Sequence, residues 1–194
     1  RRFEGGEELQ IQAYFDRTWR DIPNTFAERL QTYDLDLQYR IPLGERHRIV
    51  TGIGYRLMED RIQNTPVAAF LPPRRDLQLG SFFLQDEIEL VPDQLTVTAG
   101  ARIEHNDYSG FEVQPSLRLA FKPDERQILW ASVSRAVRAP SRIDTEYYIP
   151  APPVPVGTPK LRGGPGFEAE NLFGYEVGYR IQPTERLQLS LSPY

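Results

Sequence analysis

The stretch Tyr33–Ile41 reads YDLDLQYRI and alternates apolar and polar residues at every step. Its apolar residues occupy the odd positions, and its acidic, amide and basic residues occupy the even ones. Because successive side chains of a strand point to opposite faces, this period of two predicts a β-strand with one apolar and one polar face. The same alternation recurs before and after this stretch.

Nine strands of this kind are predicted, and the links between them differ in length. The strands run over about 8–20, 29–41, 48–61, 77–90, 95–105, 113–121, 127–138, 172–181 and from 187 to the end of the chain at Tyr194. Short links with Pro, Gly or Asp fall at one end of the strands, and all the longer links fall at the other. Tight periplasmic turns and longer outer loops are typical of an outer-membrane β-barrel.

The composition of the chain argues against several classes of protein. The chain has 194 residues, no cysteine and a net charge of -4, with a mean hydropathy of -0.50. No run of about 18 apolar residues predicts a transmembrane helix. The acidic balance lacks the basic footprint of a nucleic-acid-binding protein. The two histidines, His47 and His105, have no partner at ligand spacing, so neither a metal site nor a cofactor is predicted.

A soluble β-sandwich is the alternative fold, since its strands alternate as well. The segregation of loops by length favours the barrel. One residue disagrees with the pattern, because Asp86 shares the apolar face with Leu84 and Ile88. A carboxylate facing lipid costs energy that depends on depth, so we expect Asp86 near the periplasmic interface or turned inward by a β-bulge.

Three segments resemble the barrel of TonB-dependent outer-membrane receptors. FLQDEIEL at 83–90 is followed by a turn and by LTVTAGAR at 95–102. WASVSRAVRAPS at 130–141 resembles the family's S-R-A-x-R-x-P-S strand end. EAEN at 168–171 leads to YEVGYR at 175–180, which is similar to the family's E…Y-E-x-G-Y-R segment. Order and spacing match from Phe83 onward.

The resemblance implies an all-β fold, a transmembrane antiparallel up-and-down β-barrel in which residues 1–194 supply about nine strands of roughly 22. Family members bind scarce nutrients, most often a ferric siderophore or another metal chelate. They enclose an N-terminal plug domain and draw energy from the TonB complex through a box ahead of the plug. The implied location is the bacterial outer membrane, with its lipid as a partner and no nucleic acid. Because no plug or TonB box is recognised, and no apolar signal segment follows Arg1, we expect the chain to be an internal part of the barrel.

The long link after Pro140 is the best candidate for ligand binding. Loops on a rigid scaffold carry function, and adjacent tyrosines offer flat, amphipathic contacts. Arg135, Arg138 and Arg142 could face an anionic chelate, or they could simply pair with carboxylates on adjacent strands. A Pro-rich run over 150–159, then Lys160 and Arg162, follows the tyrosines. The candidate ligand-binding residues are Tyr147, Tyr148, Arg138, Arg142, Arg74, Arg75 and Phe70, and ordinary loop packing is the alternative for the last three.

Two other functions remain open from the residues. A passive porin or purely structural barrel would have no plug and would not depend on cellular energy. An outer-membrane enzyme would need a nucleophile and a base at the rim, but Ser134 and Ser141 have no paired histidine. The glycine cluster at 163–166 lacks the Lys-Ser/Thr ending of a phosphate loop. No catalytic residue is therefore predicted.

Overall fold

A computed structural model describes residues 1–158, 160–164 and 166–193, and most of these residues lie in β-strands. The elements in chain order are β1 (Glu8–Ile22), β2 (Phe26–Leu43), β3 (His47–Asn64), β4 (Ala69–Phe70), β5 (Arg74–Val91), β6 (Leu95–Asn106), β7 (Gly110–Phe121), β8 (Gln127–Arg138), α1 (Arg142–Glu146), β9 (Tyr147–Ile149), β10 (Leu161–Arg162), β11 (Glu170–Thr184) and β12 (Leu187–Leu191).

Nine of these strands form one antiparallel sheet, which we call the wall. The order in the wall is β1-β2-β3-β5-β6-β7-β8-β11-β12, so each strand pairs with the next wall strand along the chain. This is an up-and-down meander, the connectivity of an outer-membrane barrel. A single nine-stranded sheet is not a sandwich of two packed sheets, so the alternative fold is wrong. The predicted end of the ninth strand at Tyr194 lies outside the described residues, as do Pro159 and Pro165.

The loops are less strictly segregated by length than the sequence predicted. The links at 23–25 and 107–109 have three residues each, as short as the turns at 44–46 and 92–94 at the opposite end. The wall strands are longer than expected, because β2, β3 and β5 each have 18 residues where about 10 cross a membrane. They therefore project beyond the membrane at the outer end and shorten the links there.

The two faces of the wall differ in chemistry. Directly paired residues share a face of a sheet, and Ile11, Leu37 and Ile53 are paired in one row across three strands. Ile53 and Ile11 are 57% and 61% exposed, as side chains that contact lipid in a complete barrel must be. The opposite face carries polar side chains, among them Asp34 and Arg56, whose Nε lies 2.6 Å from the Asp34 carboxylate.

Asp86 lies on the outward, apolar face near the periplasmic turns. It is paired in regular register with Ile49 and Ala99, and the bulge of β5 falls later, between Glu89 and Val91. His47, the first residue after the turn at 44–46, places its Nδ1 2.7 Å from an Asp86 carboxylate oxygen. The alternative of a bulge at Asp86 is therefore wrong, and an interfacial position of Asp86 stays a prediction.

Buried apolar side chains lie at the outer end, beneath the long loop. Within the described ranges they are Ile62, Ala68, Ala69 and Phe70, which are between 0% and 6% exposed. Elsewhere the wall is one layer thick and its side chains meet lipid or the barrel interior. None of the helical residues described forms a helix that is long and apolar enough to cross a bilayer.

Candidate ligand platform at the outer end

Two loops fold together over the polar face at the outer end of the wall. Strand β9 pairs with β4 on one side, Phe70 opposite Tyr147, and with β10 on the other, Arg162 opposite Tyr148. The resulting three-stranded sheet, together with α1, is called the platform below. The sequence gives little sign of strands this short, because two or three residues cannot display a period.

Phe70 is the apolar centre of the platform. Its ring centroid lies 4.8 Å from that of Tyr147 and 5.3 Å from that of Phe26 on the wall. The side-chain amide of Asn64 donates to the Phe70 carbonyl at 3.0 Å and accepts from the Phe70 N–H at 2.9 Å. These contacts fix the platform to the first residue of β2 and the last residue of β3.

A buried group of charges holds the two loops together. The Arg142 guanidinium contacts the Glu146 carboxylate at 2.7 Å and the Asp60 carboxylate at 2.9 Å, and it donates to the Pro72 carbonyl. The side chains of Arg142, Asp60 and Glu146 are between 6% and 9% exposed. Arg142 also lies over the Phe70 ring, 5.4 Å from its centroid. One cation therefore joins the helix, strand β3 and the loop before β5.

Arg75 adds a second cation to this group. Its Nε lies 3.3 Å from the Glu146 carboxylate, and its guanidinium lies 5.6 Å from the Tyr108 ring centroid. Burial, and then the negative charge of Glu146, raise the pKa of the Tyr108 hydroxyl. Tyr108 therefore remains a neutral phenol throughout the physiological range. The turn at 107–109 is drawn into the platform in this way.

The start of the platform is closed by a clasp of exposed charges. Ser141 caps α1 in a capping box with Asp144, whose carboxylate accepts from the Ser141 N–H at 2.9 Å. These hydrogen bonds lower the pKa of Asp144. Arg138 lies 3.2 Å from Asp144 and 2.8 Å from Glu170, and its hydrogen bond and positive charge lower the pKa of Glu170. The clasp joins the ends of β8 and β11, above the apolar band.

The end of the long loop approaches the platform closely at Gly163. The Gly163 N–H donates to the Tyr147 carbonyl at 2.7 Å. A Cβ at this position would lie 2.5 Å from the carbonyl carbon of Thr145, so only glycine fits without a shift of the backbone. The absence of a side chain lets β10 return beside β9.

The seven candidate residues fall into different environments. Phe70 and Arg142 are buried, Tyr147 contacts Phe70, and Arg75 faces the platform charges. For Arg138 and Arg142, the alternative of pairing with carboxylates is what the structure has. Arg75, for which loop packing was the alternative, also pairs with a carboxylate, that of Glu146. Both platform tyrosines are half-exposed. Tyr147 packs on the Phe70 ring, whereas Tyr148 does not. Ligand contact remains an untested prediction for all seven.

Arg74 points away from the platform. Neighbouring strand residues face opposite sides, so Arg75 is directed inward and Arg74 outward, opposite Arg61 on β3. The sequence placed both arginines in a loop and therefore could not separate them. In the structure they are the first two residues of β5.

Lys160 and Arg162 lie in the long loop but were not among the seven candidate residues predicted from the sequence. Lys160 and Arg162 are exposed, and within the described part of the chain no carboxylate lies within 4 Å of either charge. Arg162 shares a face of the platform with Tyr148, its direct partner. The described residues contain no group of three His, Asp or Glu side chains that could hold a metal ion.

A wall with an apolar outward face, a polar inward face and a folded outer loop defines a segment of a transmembrane β-barrel. The sequence also assigns the chain to a family. The sequence profile of the TonB-dependent receptor-like β-barrel matches residues 3–194, and the chain belongs to this family of outer-membrane receptors.

Individual relatives are siderophore receptors. The ferric enterobactin receptor of Pseudomonas aeruginosa is 33% identical over 104 residues, which are 50% of this chain and 14% of that protein. The siderophore receptor PirA of P. aeruginosa has a TM-score of 0.71 at 21% identity, over 91% of this chain and 32% of its own. A PfeA mutant from P. aeruginosa in complex with enterobactin has a TM-score of 0.71 at 22% identity, over 97% and 32%. The chain thus spans 14% of the curated relative and about a third of the solved structures.

Proposed function

We propose that the intact receptor takes up a ferric siderophore or a related anionic metal chelate across the outer membrane, with energy from the TonB complex. The observation that carries this proposal is the platform, an ordered loop surface over the polar face of the wall at its outer end. The platform is held by buried charges and keeps Lys160 and Arg162 exposed. Membership of the receptor family and the siderophore receptors among its relatives support the same function.

In this proposal the candidate residues have two roles. Tyr148, Arg162 and Lys160 form the exposed contact surface for the chelate, where the cations attract its negative charge and the phenol packs against it. Tyr147, Phe70, Arg142 and Arg75 support that surface from below, and Arg138 holds its start in place. The outward direction of Arg74 argues against a role in chelate binding.

The test is uptake of radiolabelled iron by cells that express the intact receptor. Iron is supplied as a panel of ferric siderophores that includes ferric enterobactin, with and without a protonophore. We expect saturable uptake of one chelate that stops when the proton-motive force collapses. Uptake that never saturates and ignores the protonophore would overturn the proposal in favour of a porin.

A charge-matched pair of variants tests the contact surface. Lys160→Gln with Arg162→Gln removes two cations from the platform, and we expect the half-saturating chelate concentration to rise about tenfold. Arg46→Gln with Arg186→Gln removes two exposed cations from turns at the opposite end and should leave uptake unchanged. Equal uptake by both variants would exclude Lys160 and Arg162 from chelate binding.

A further inference from the structure

Three arginines form a row across the outward face of the wall. Arg29 on β2 is paired directly with Arg61 on β3, and Arg61 is paired directly with Arg74 on β5. Trp19 on β1 continues the row as the partner of Arg29. Directly opposed like charges on a sheet repel one another, so this arrangement destabilises the wall unless an anion lies against it.

The row lacks internal partners. Carboxylates do occur on the same face in adjacent rows, namely Asp21 on one side and Glu59 with Asp76 on the other. Across the described ranges, however, no carboxylate lies within 4 Å of a guanidinium nitrogen of the three arginines. Their positive charge is left available to an external ligand.

The side chains form a shallow groove rather than a flat surface. The groove has a volume of about 260 Å³ and is lined by Trp19, all three arginines and also Glu28, whose carboxylate lies 3.7 Å from Arg20. The Arg29 guanidinium lies 5.4 Å from the Trp19 ring centroid, which holds it in place by a cation–π contact. The Arg29 Nε is buried there and has no hydrogen-bond partner. A donor in this position is preorganised for an acceptor that is not part of the described chain.

The height of the row identifies the acceptor. The apolar band of the outward face ends at the paired residues Tyr33 and Leu57, and the next row, Gln31 with Glu59, is polar. Arg61 lies four residues beyond Leu57, which is roughly 13 Å along the strand and about 9 Å in height at a tilt near 45°. Because the headgroup layer extends about 5–8 Å beyond the hydrocarbon core, that distance places the row at the outer margin of the lipid headgroups.

We propose that Arg29, Arg61 and Arg74 bind the phosphate groups of a glycolipid in the outer leaflet of the membrane. Guanidinium groups match phosphate oxygens with paired hydrogen bonds, and three in a row can span more than one phosphate. Trp19 lies at the same level, where amphipathic rings favour the membrane interface. The site is on the outer wall, so it is separate from the platform and from the proposed uptake path.

The test is lipid binding by the intact receptor purified in detergent. The probes are bisphosphorylated lipid A, lipid A stripped of its phosphates, and inorganic phosphate. We expect the wild-type receptor to bind the phosphorylated lipid at least tenfold more tightly than the stripped lipid, and inorganic phosphate at millimolar concentration to compete poorly. Equal binding of both lipids, no binding of either, or full competition by inorganic phosphate would each overturn the proposal.

Three variants assign the binding to the row. Arg29→Gln, Arg61→Gln and Arg74→Gln together should weaken binding of phosphorylated lipid A by about tenfold or more. The same substitutions to Lys should recover only part of it, because the charge remains but the paired hydrogen bonds of the guanidinium groups are lost. The control changes Arg102, Arg118 and Arg180 on the inward face to Gln and should bind like wild type.

Heat-modifiable migration of each variant confirms that its barrel is folded before binding is measured. Wild-type affinity in the folded Gln variant, or an equal loss in the inward-face control, would overturn the assignment. Siderophore uptake does not enter this readout, so failure here and failure of the proposed transport function are distinguishable.

Discussion

In the platform, Ala69 and Phe70 are at most 4% exposed, whereas in the wall Ile11 and Ile53 are more than half exposed. The platform is stabilised as a soluble domain is, by a small apolar centre and charges removed from water. The wall is stabilised by the backbone hydrogen bonds between its strands. Its apolar side chains face lipid and its polar side chains face the barrel interior. A substitution should therefore act through packing in the platform and through strand register or facing in the wall.

The largest expected effect comes from removing Arg142. In Arg142→Ala the carboxylates of Asp60 and Glu146 stay buried without their shared cation, which costs about 3–5 kcal/mol for a broken buried pair. We expect the platform to open while the wall stays folded. Hydrogen exchange of the intact receptor should show lost protection over 139–149 and unchanged protection in β6 and β7.

The matched control is Arg118→Ala, which removes an exposed arginine that has no carboxylate within 4 Å in the described part of the chain. It should leave protection of the platform unchanged. Protection over 139–149 that survives Arg142→Ala would mean that the buried charges do not hold the loops together.

A smaller effect is expected from filling the close approach at Gly163. Gly163→Ala places a Cβ against the backbone of Thr145, which cannot yield as a side-chain tip can, so we expect about 1–3 kcal/mol of local destabilisation. Gly166→Ala is the control in the same loop, because among the described residues, its chain neighbours aside, none has an atom within 4 Å of its Cβ position. Proteolysis of the loop in the intact receptor should be faster for Gly163→Ala alone, and equal rates would contradict the close packing.

Two glycines on strand β11 of the wall, Gly174 and Gly178, allow a corresponding comparison. The Cβ of Gly178→Ala would lie 2.2 Å from the Trp130 ring, whereas that of Gly174→Ala would lie 3.6 Å from the nearest atom, Ser134 Oγ. Because the indole can rotate on the polar face, we expect a cost of about 1 kcal/mol, less than at Gly163. Denaturant unfolding of the intact receptor should show an earlier midpoint for Gly178→Ala only. A shift shared by both variants would point to the loss of glycine itself.

The same division sets how much could be predicted from the sequence. The wall follows from a period of two that continues over many residues, so the strands around Tyr33–Ile41 and 95–105 are close to those observed. Strand ends beyond the apolar band were missed, because above the membrane neither face needs to be apolar. Because the strands extend this far, the links at 23–25 and 107–109 have only three residues each.

The platform depends on contacts that are remote in sequence. Arg142 pairs with Asp60, 82 residues away, and Phe70 packs on Tyr147. No local pattern specifies such pairs, and the candidate residues could only be placed in the right loops. One local signal was available, since Ser141 followed by Asp144 is an N-cap pattern that predicts the start of α1.

The smallest expected effect is the response of the clasp at Arg138 to pH. The pKa values of Asp144 and Glu170 are lowered in the folded protein, so their contacts stabilise it at neutral pH and are lost as the pH falls through those lowered values. We expect amide protection of 139–147, corrected for intrinsic exchange, to be constant from pH 7 to 5 and to fall below about pH 4. Asp144→Asn should show weaker protection at neutral pH and a smaller further loss in acid. An equal acid loss in wild type and Asp144→Asn would assign the response to other groups, and protection that persists in acid would show that the buried charges around Arg142 hold the platform without the clasp.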